Sequence, residues 1–438
     1  MRFLLGIVVV GLVAFVGALA YAMRFDEIAA LPAAPAASTF DRNVISKGEL
    51  MTGMGDCEVC HTRVGGEPFA GGFPLETPFG VIYTTNITPD IETGIGTWSL
   101  EAFTRAMREG VDREGEYLYP AFPYNHFTKT TDDDIKAIYA YIMTSVKPVK
   151  YEPPETKLPF PFNIRLSLAG WNFLFLKPGP DAKDTTKDDD WNRGRYLVEG
   201  LGHCGSCHTP LNFIGGEKGG GNKFGGAEAE GWYVPPLNHN TLSPIPWTEN
   251  ALVDYLFDGW SKQHGITAGP MTPVIRHLYD QEEDDVFAIA KYISTFQPPY
   301  DQAKADAIAA QAKAKEWDAA NPPKPTDATL AKGASEFGRL CANCHKLNGQ
   351  PLPLAMTTTV NMPDPRNVIR ITLEGIRPPP GSRDRSMPPL LINDQDLEAM
   401  LMFIRSQYTT KPAWTHVGEY IKEARASVAA ANPTAVAK

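Results

Sequence analysis

Residues 57–61 read Cys57-Glu58-Val59-Cys60-His61. The pattern returns as Cys204-Gly205-Ser206-Cys207-His208 and Cys341-Ala342-Asn343-Cys344-His345, and these three copies take all six cysteines of the 438-residue chain. Cys-x-x-Cys-His is the attachment signature for c-type haem. Two thiols add across the porphyrin vinyl groups and the adjacent imidazole reaches the iron, so the histidine must follow the second cysteine at once. Cys-x-x-Cys also serves zinc. Zinc takes two pairs per ion, however, and three pairs leave one over. The pattern predicts three covalently bound haem c groups. Cys57, Cys60, Cys204, Cys207, Cys341 and Cys344 hold the macrocycles, with His61, His208 and His345 as proximal iron ligands.

The motifs begin at Cys57, Cys204 and Cys341, so each has room for one small domain. A haem replaces much of the core that a domain of this size otherwise needs. The expected fold is all-α: three tandem cytochrome c domains at 40–150, 185–297 and 327–412, with a C-terminal tail at 413–438. Each domain has a helix before its motif and a helix at its end. Periodicity places these at Ile45–Gly55 and Asp133–Thr144, at Asn192–Gly200 and Asp284–Thr295, and at Leu330–Leu340 and Asp394–Gln407. Glu101–Gly110 and Glu249–Phe257 read as further helices. An internal repeat is visible directly: residues 134–142 read DIKAIYAYI and residues 285–293 read DVFAIAKYI.

At the N-terminus an apolar run from Phe3 to Ala22 stands between Arg2 and Arg24. It is near bilayer length. Residues 1–28 are expected to be a signal or, by length, a retained transmembrane helix, although Ala18-Leu19-Ala20 fits a cleavage site. Either form puts the body outside the cytoplasm, on the periplasmic side of the inner membrane. The formal net charge of −10 argues against nucleic acid and against a polybasic grip on lipid. No cysteine remains for a disulfide or a Cys-ligated iron–sulfur cluster.

Two linkers and the tail stand out. Pro148–Asp190 is unusually aromatic and apolar for a connection. It reads either as packing between the first two domains or as an interfacial membrane or partner contact. Pro298–Pro325 carries an Ala-rich helix, Ala303–Ala319, and reads as a spacer. In the tail, Val417, Tyr420, Ile421, Ala424 and Val428 form one stripe, fit for a partner subunit or for the third domain.

Electron-transfer cytochromes close the far side of the iron with Met or His. Met271, in Gly-Pro-Met-Thr-Pro, and Met387, in Ser-Met-Pro-Pro, lie in loops before the last helix of their domains and are expected as sixth ligands. Met356, Met400 and Met402 read as packing. Met362 lies too far ahead of the final helix, and Met107 and Met143 read as core. The corresponding first loop, Leu118-Tyr119-Pro120-Ala121-Phe122-Pro123-Tyr124-Asn125-His126-Phe127, has no methionine. His126, four residues after Phe122, is expected there as sixth ligand.

The runs Thr85-Asn86-Ile87-Thr88-Pro89-Asp90, Thr93-Gly94-Ile95-Gly96-Thr97-Trp98, Leu118-Tyr119-Pro120, Gly202–Pro210 and Asp364-Pro365-Arg366-Asn367 carry a resemblance. The chain resembles the three-haem cytochrome c subunit of the membrane-bound dehydrogenases of acetic acid bacteria and their relatives, over nearly all of its length after residue 40. Alcohol dehydrogenase members have Met where this chain has Phe122. The Phe form followed by His-Phe-Thr looks like the version serving molybdenum-containing aldehyde or N-heterocycle dehydrogenases. The resemblance implies a non-catalytic electron-transfer subunit that takes electrons from a catalytic dehydrogenase subunit, which can carry a small iron–sulfur subunit, and delivers them to ubiquinone. A quinoprotein alcohol dehydrogenase or a flavin-dependent sugar or polyol dehydrogenase is the alternative partner. A haem peroxidase-like enzyme is the alternative of another class, because the first iron lacks a methionine. A membrane-tethered wire to a terminal oxidase is a third.

Overall fold

Asp41 accepts the N–H of Asn43 and starts helix α1, Arg42–Met54. Side-chain caps of this kind satisfy N–H groups that a helix leaves unpaired. Ser99, Thr131, Thr248, Asp327 and Asn393 do the same at later helices. The computed structural model describes residues 16–17, 19–382 and 384–431. The chain forms two compact units.

The first unit comprises residues up to Asp184 with Tyr196–His203 and Asn212–Glu217. After α1 come the short helix α2, Cys57–Cys60, and an antiparallel hairpin of β1, Pro74–Thr77, and β2, Gly80–Tyr83. Helices α3, Leu100–Glu109, α4, Asp132–Ser145, and α5, Leu168–Phe175, follow.

The remaining residues make the second unit. Its first helix, α6, runs Asp189–Glu199, and its last residues belong to the first unit. Then come α7, Cys204–His208, a hairpin of β3, Ala227–Ala229, and β4, Trp232–Val234, and α8, Glu249–Asp258. A two-residue hairpin of β5, Trp260–Ser261, and β6, Gly265–Ile266, leads to α9, Met271–Tyr279, and α10, Glu283–Ser294. The unit ends with α11, Gln302–Ala314, α12, Ala328–Leu340, α13, Arg366–Glu374, α14, Asp394–Tyr408, and α15, Val417–Ala431.

One packing event occurs three times. A Cβ on Gly48 of α1 would lie 1.9 Å from the Ala137 carbonyl oxygen of α4. Gly194 of α6 meets Ala288 of α10 at 1.9 Å, and Gly333 of α12 meets Ala399 of α14 at 2.0 Å. Only glycine lets the helix backbones approach this closely. The residue four places on, Tyr141, Tyr292 or Phe403, puts its own Cβ 2.7–2.8 Å from the same point. Around the third crossing, Phe337 and Phe403 lie with ring centroids 5.7 Å apart and pack with Trp317 and Tyr408 in a buried aromatic core.

The all-α expectation is corrected: the fold is mainly helical but carries, among the described residues, three two-stranded antiparallel hairpins. The N-terminal transmembrane helix is corrected with it. Among the described residues no helix is long and apolar enough to cross a membrane, and residues 1–15 and 18 of that expected segment lie outside them. Ala303–Ala319 is helical only over α11, and it is more than a spacer. Ala305 and Ala312 are buried against Ile245 and Met356. In the tail, Val417, Ile421 and Ala424 are buried in the core of their own unit, and Arg425 pairs with Asp394 at 2.5 Å. Of its two expected seats, the stripe takes the one on the third segment.

Candidate haem sites

In the first unit the thiols of Cys57 and Cys60 stand one helical turn apart on α2, and the His61 N–H donates to the Cys57 carbonyl at 3.0 Å. The imidazole Nδ1–H of His61 donates to the Thr85 carbonyl oxygen at 2.6 Å. A carbonyl can only accept, so the proton sits on Nδ1 and the Nε2 lone pair is left for a metal. Loss of water contact lowers the His61 pKa, against a smaller opposing effect of the Thr85 bond, so the ring is neutral.

The hairpin places that carbonyl. Thr85 follows β2 by two residues, and Gly72 pairs with Thr84 as Thr84 pairs with Phe73. The Gly71 N–H donates to the His61 carbonyl at 2.7 Å. Gly71 has φ +75°, and a Cβ there would fall 2.4 Å from the Thr85 carbonyl. The Phe69 N–H is taken by the Thr62 hydroxyl. Asn86 is buried and donates to the carbonyls of Val149 and Tyr151 while accepting from Thr88. This ties the Thr85–Pro89 run in place.

The second motif repeats the arrangement. Nδ1–H of His208 donates to the Pro235 carbonyl at 2.8 Å, one residue past β4. Burial lowers the His208 pKa to about 4, again leaving a neutral ring. The Gly226 N–H donates to the His208 carbonyl at 2.8 Å, and the Phe224 N–H is taken by the Thr209 hydroxyl at 3.1 Å. Thr62, Phe69 and Gly71 thus correspond to Thr209, Phe224 and Gly226. Sequence reading missed this set, although a threonine directly after each His and a Phe-small-Gly triplet signal it.

The third motif differs. Cys341 is buried with its Sγ 3.6 Å from Met400 Sδ, and burial pushes its thiol up to about 12. The His345 N–H donates to the Cys341 carbonyl at 2.9 Å, and burial again lowers its pKa. Among the described residues no hairpin follows this motif. None of the six cysteines is joined to another in a disulfide.

The expected sixth ligands are placed as follows. Met271 opens α9, behind Gly269 at φ +59°. Met387 exchanges backbone hydrogen bonds with Ile376, at 3.0 and 2.7 Å. Phe122 occupies the place in its unit that Met271 has in its own. The left-handed helix caps Gly110 and Gly259 each accept from the residue eight places on, Leu118 and Thr267, and Phe122 and Met271 follow four further on. Phe122 packs on Phe127 at 5.2 Å between centroids.

His126 is buried, with Nδ1 2.8 Å from the Glu199 carbonyl and Nε2 2.5 Å from a Glu217 carboxylate oxygen. Both nitrogens are engaged, so in this arrangement His126 has none free for iron. Burial raises the Glu217 carboxyl, but the hydrogen bond and charge of His126, with Asn125 and Lys129, outweigh it and hold Glu217 below its usual range. Met107, Met143, Met356, Met362 and Met400 are buried packing residues.

Paired thiols in one turn, each followed by a neutral imidazole, fit covalent haem. In the first two motifs a carbonyl also fixes the bare Nε2. This donor set defines a c-type cytochrome. No family model matches the chain. It is 40% identical over 424 residues to a subunit of the nicotinate dehydrogenase of Pseudomonas putida, covering 94% of this chain and 34% of that protein. The chain therefore spans about a third of the length of that relative. It is 34% identical to the fructose dehydrogenase cytochrome subunit of Gluconobacter japonicus, over 91% of this chain and 86% of the other. The cytochrome c subunit of the quinone alcohol dehydrogenase of Gluconobacter oxydans is 34% identical, over 83% and 78%. The chain belongs to this family, the cytochrome c subunits of membrane dehydrogenases. It is a non-catalytic electron-transfer subunit that binds haem c covalently.

Proposed function

We propose that the chain carries three haem c groups and passes electrons from a catalytic dehydrogenase subunit to ubiquinone at the periplasmic face of the inner membrane. The repeated Cys-x-x-Cys-His turn, with its neutral histidine, is the observation that supports this most strongly. When bound, each haem supplies a one-electron iron couple. The protein's part would be to fix the macrocycle through two thiols, orient the imidazole through Thr85 or Pro235, and supply Met271 or Met387 as a further donor. Met271 and Met387 are the proposed sixth ligands of the second and third irons. The first iron has Phe122 in the methionine's place, and His126 would reach it only by leaving Glu217.

The favoured partner is a molybdenum-containing aldehyde or N-heterocycle dehydrogenase. The Phe122 form of the first loop supports it, as does 40% identity to a protein named for nicotinate. Alcohol and sugar dehydrogenases are the second reading, supported by the fructose and alcohol dehydrogenase relatives.

The mass of the exported protein and its pyridine haemochrome should both give three haems per chain. The copurified catalytic subunit, given its substrate, should reduce them, and a short-chain ubiquinone should reoxidise them. Two haems per chain, or reoxidation only by a soluble cytochrome, would refute the reading.

A further inference from the structure

In the first unit, helix α5 and the strand of chain before it are apolar on both sides. Ala169 and Asn172 turn inward, and Ala169 packs with Val111 and Tyr117. The outward side carries Phe160, Phe162, Leu166, Phe173 and Leu174, all exposed. The loop Asn212–Gly216 extends this face. The Trp171 indole N–H donates to the Ile214 carbonyl at 3.1 Å, and a Cβ on Gly216 would lie 2.5 Å from the Phe175 ring. Phe213 then stands 90% exposed, with Phe160 at 79% and Phe173 at 75%. Phe79 bridges Phe162, at 4.7 Å between centroids, to Gly215. Tyr21 meets Phe173 edge-on at 6.2 Å and brings residues 19–23 onto the same face.

Three observations say what covers this face. First, the rings protrude. Anchors of a protein interface fill packed pockets on the partner, whereas rings exposed on most of their surface suit a fluid that conforms to them. Second, residues 156–180 contain Lys157, Arg165 and Lys177 and no acidic residue, in a chain of net charge −10; Glu155, just outside the stretch, pairs with Lys157 at 3.1 Å. The basic charge left within the stretch, Lys177 above all, complements anionic headgroups. Third, the sequence before Met23 is uncharged from Phe3 to Ala22.

We infer that the face formed by residues 158–176 and 212–216 is a membrane-docking surface: its phenylalanines enter the headgroup–acyl boundary of an anionic bilayer and its basic residues meet the phosphates. This rests on the proposed membrane location and adds to it the surface that makes contact.

The test uses the purified full chain with its haems and vesicles of phosphatidylglycerol and phosphatidylcholine. Amide exchange over residues 158–176 and 212–216 should slow when anionic vesicles are added. The exposed-site variant F160S/F173S/F213S should keep its haem spectrum and lose at least about tenfold in vesicle affinity, since each buried ring contributes appreciably. K177Q should weaken binding to anionic vesicles and leave binding to pure phosphatidylcholine unchanged. Unslowed exchange over both segments, or equal vesicle affinity of parent and triple variant, overturns the inference. So does a triple variant that keeps vesicle binding but no longer binds the catalytic subunit, which makes the face a protein dock. Reduction by the catalytic subunit in detergent reads the function separately: it persists in the triple variant if only the docking inference fails.

Discussion

The Nδ1–H of His208 donates to the carbonyl oxygen of Pro235 across 2.8 Å, and Gly226 donates back to the His208 carbonyl at the same distance. The imidazole is held from both its ring and its backbone by one hairpin. A carbonyl accepting from Nδ1–H enriches the ring and strengthens Nε2 as a ligand.

Moving that carbonyl should therefore change the potential of one haem. Gly226 has φ +84°, and an added Cβ would lie 2.8 Å from the Val234 oxygen. Gly226→Ala is expected to weaken the His208–Pro235 bond and raise one midpoint potential, and Gly71→Ala should do the same to a different haem. Spectroelectrochemical titration resolves the separate waves. Waves identical to the parent's in both variants would show that the hairpin carbonyls do not tune the iron.

The helix crossings admit no side chain. Gly48→Ala, Gly194→Ala and Gly333→Ala each place a Cβ about 2 Å from a carbonyl oxygen. Overpacking of this kind costs about 3 kcal/mol or more. Each variant should melt well below the parent in calorimetry. A parent-like transition in any of them means that its helices separate at little cost.

Met271→His and Met387→His should each retain haem and lower one potential, because a thioether ligand raises it relative to imidazole. The long-wavelength iron–thioether band should weaken in each variant. An undiminished band removes that methionine as a ligand.

With Phe122 lacking a donor and both His126 nitrogens engaged, one reduced haem of the parent should bind carbon monoxide. His126→Ala should leave that behaviour unchanged. It should cost about 2 kcal/mol of stability, by stranding the Glu217 carboxylate and the Glu199 carbonyl. A parent that binds no carbon monoxide, with a His126→Ala form that binds it at one haem, would show that His126 swings onto the iron.

The Glu217 pair also gives a pH dependence. Glu217 is held below its ordinary carboxylate range in the folded chain. Its stabilising contribution is thus fully present above the unfolded carboxylate's pKa and is lost as pH falls through the lower folded value. Urea midpoints measured downward from neutrality should fall less steeply in Glu217→Gln than in the parent. Parallel curves would mean that the carboxyl is not depressed.

Much of this was legible in the chain itself. The helix expected at Asp133–Thr144 is Asp132–Ser145, and that at Leu330–Leu340 is Ala328–Leu340, because caps and apolar spacing agree there. The hairpins were not legible. β1 and β2 are only four residues each and neither has a buried position, so no apolar period of two stands out in the sequence. The carbonyl partners were hidden for a related reason, since a backbone oxygen carries no residue signature. Gly48, Gly194 and Gly333 were hidden by their ambiguity. A lone glycine in a helix reads as lost propensity, and only the facing alanine carbonyl shows its use. The contact of His126 with Glu217 was hidden in the same way, since 91 residues separate them.

The Gly48–Ala137 crossing also bears on how the chain acquires its cofactor. It ties together the two ends of a stretch that contains Cys57, Cys60, His61 and the Thr85 carbonyl. Once the two helices meet, these residues are held in one folded segment. A newly exported, still extended chain offers its thiols freely, whereas in the closed form Cys57 is half-buried and its thiol is pushed up to about 12, leaving little reactive thiolate. By this chemistry the crossing is expected to close after the porphyrin is attached. Weakening it should leave haem loading intact while the finished protein opens more easily.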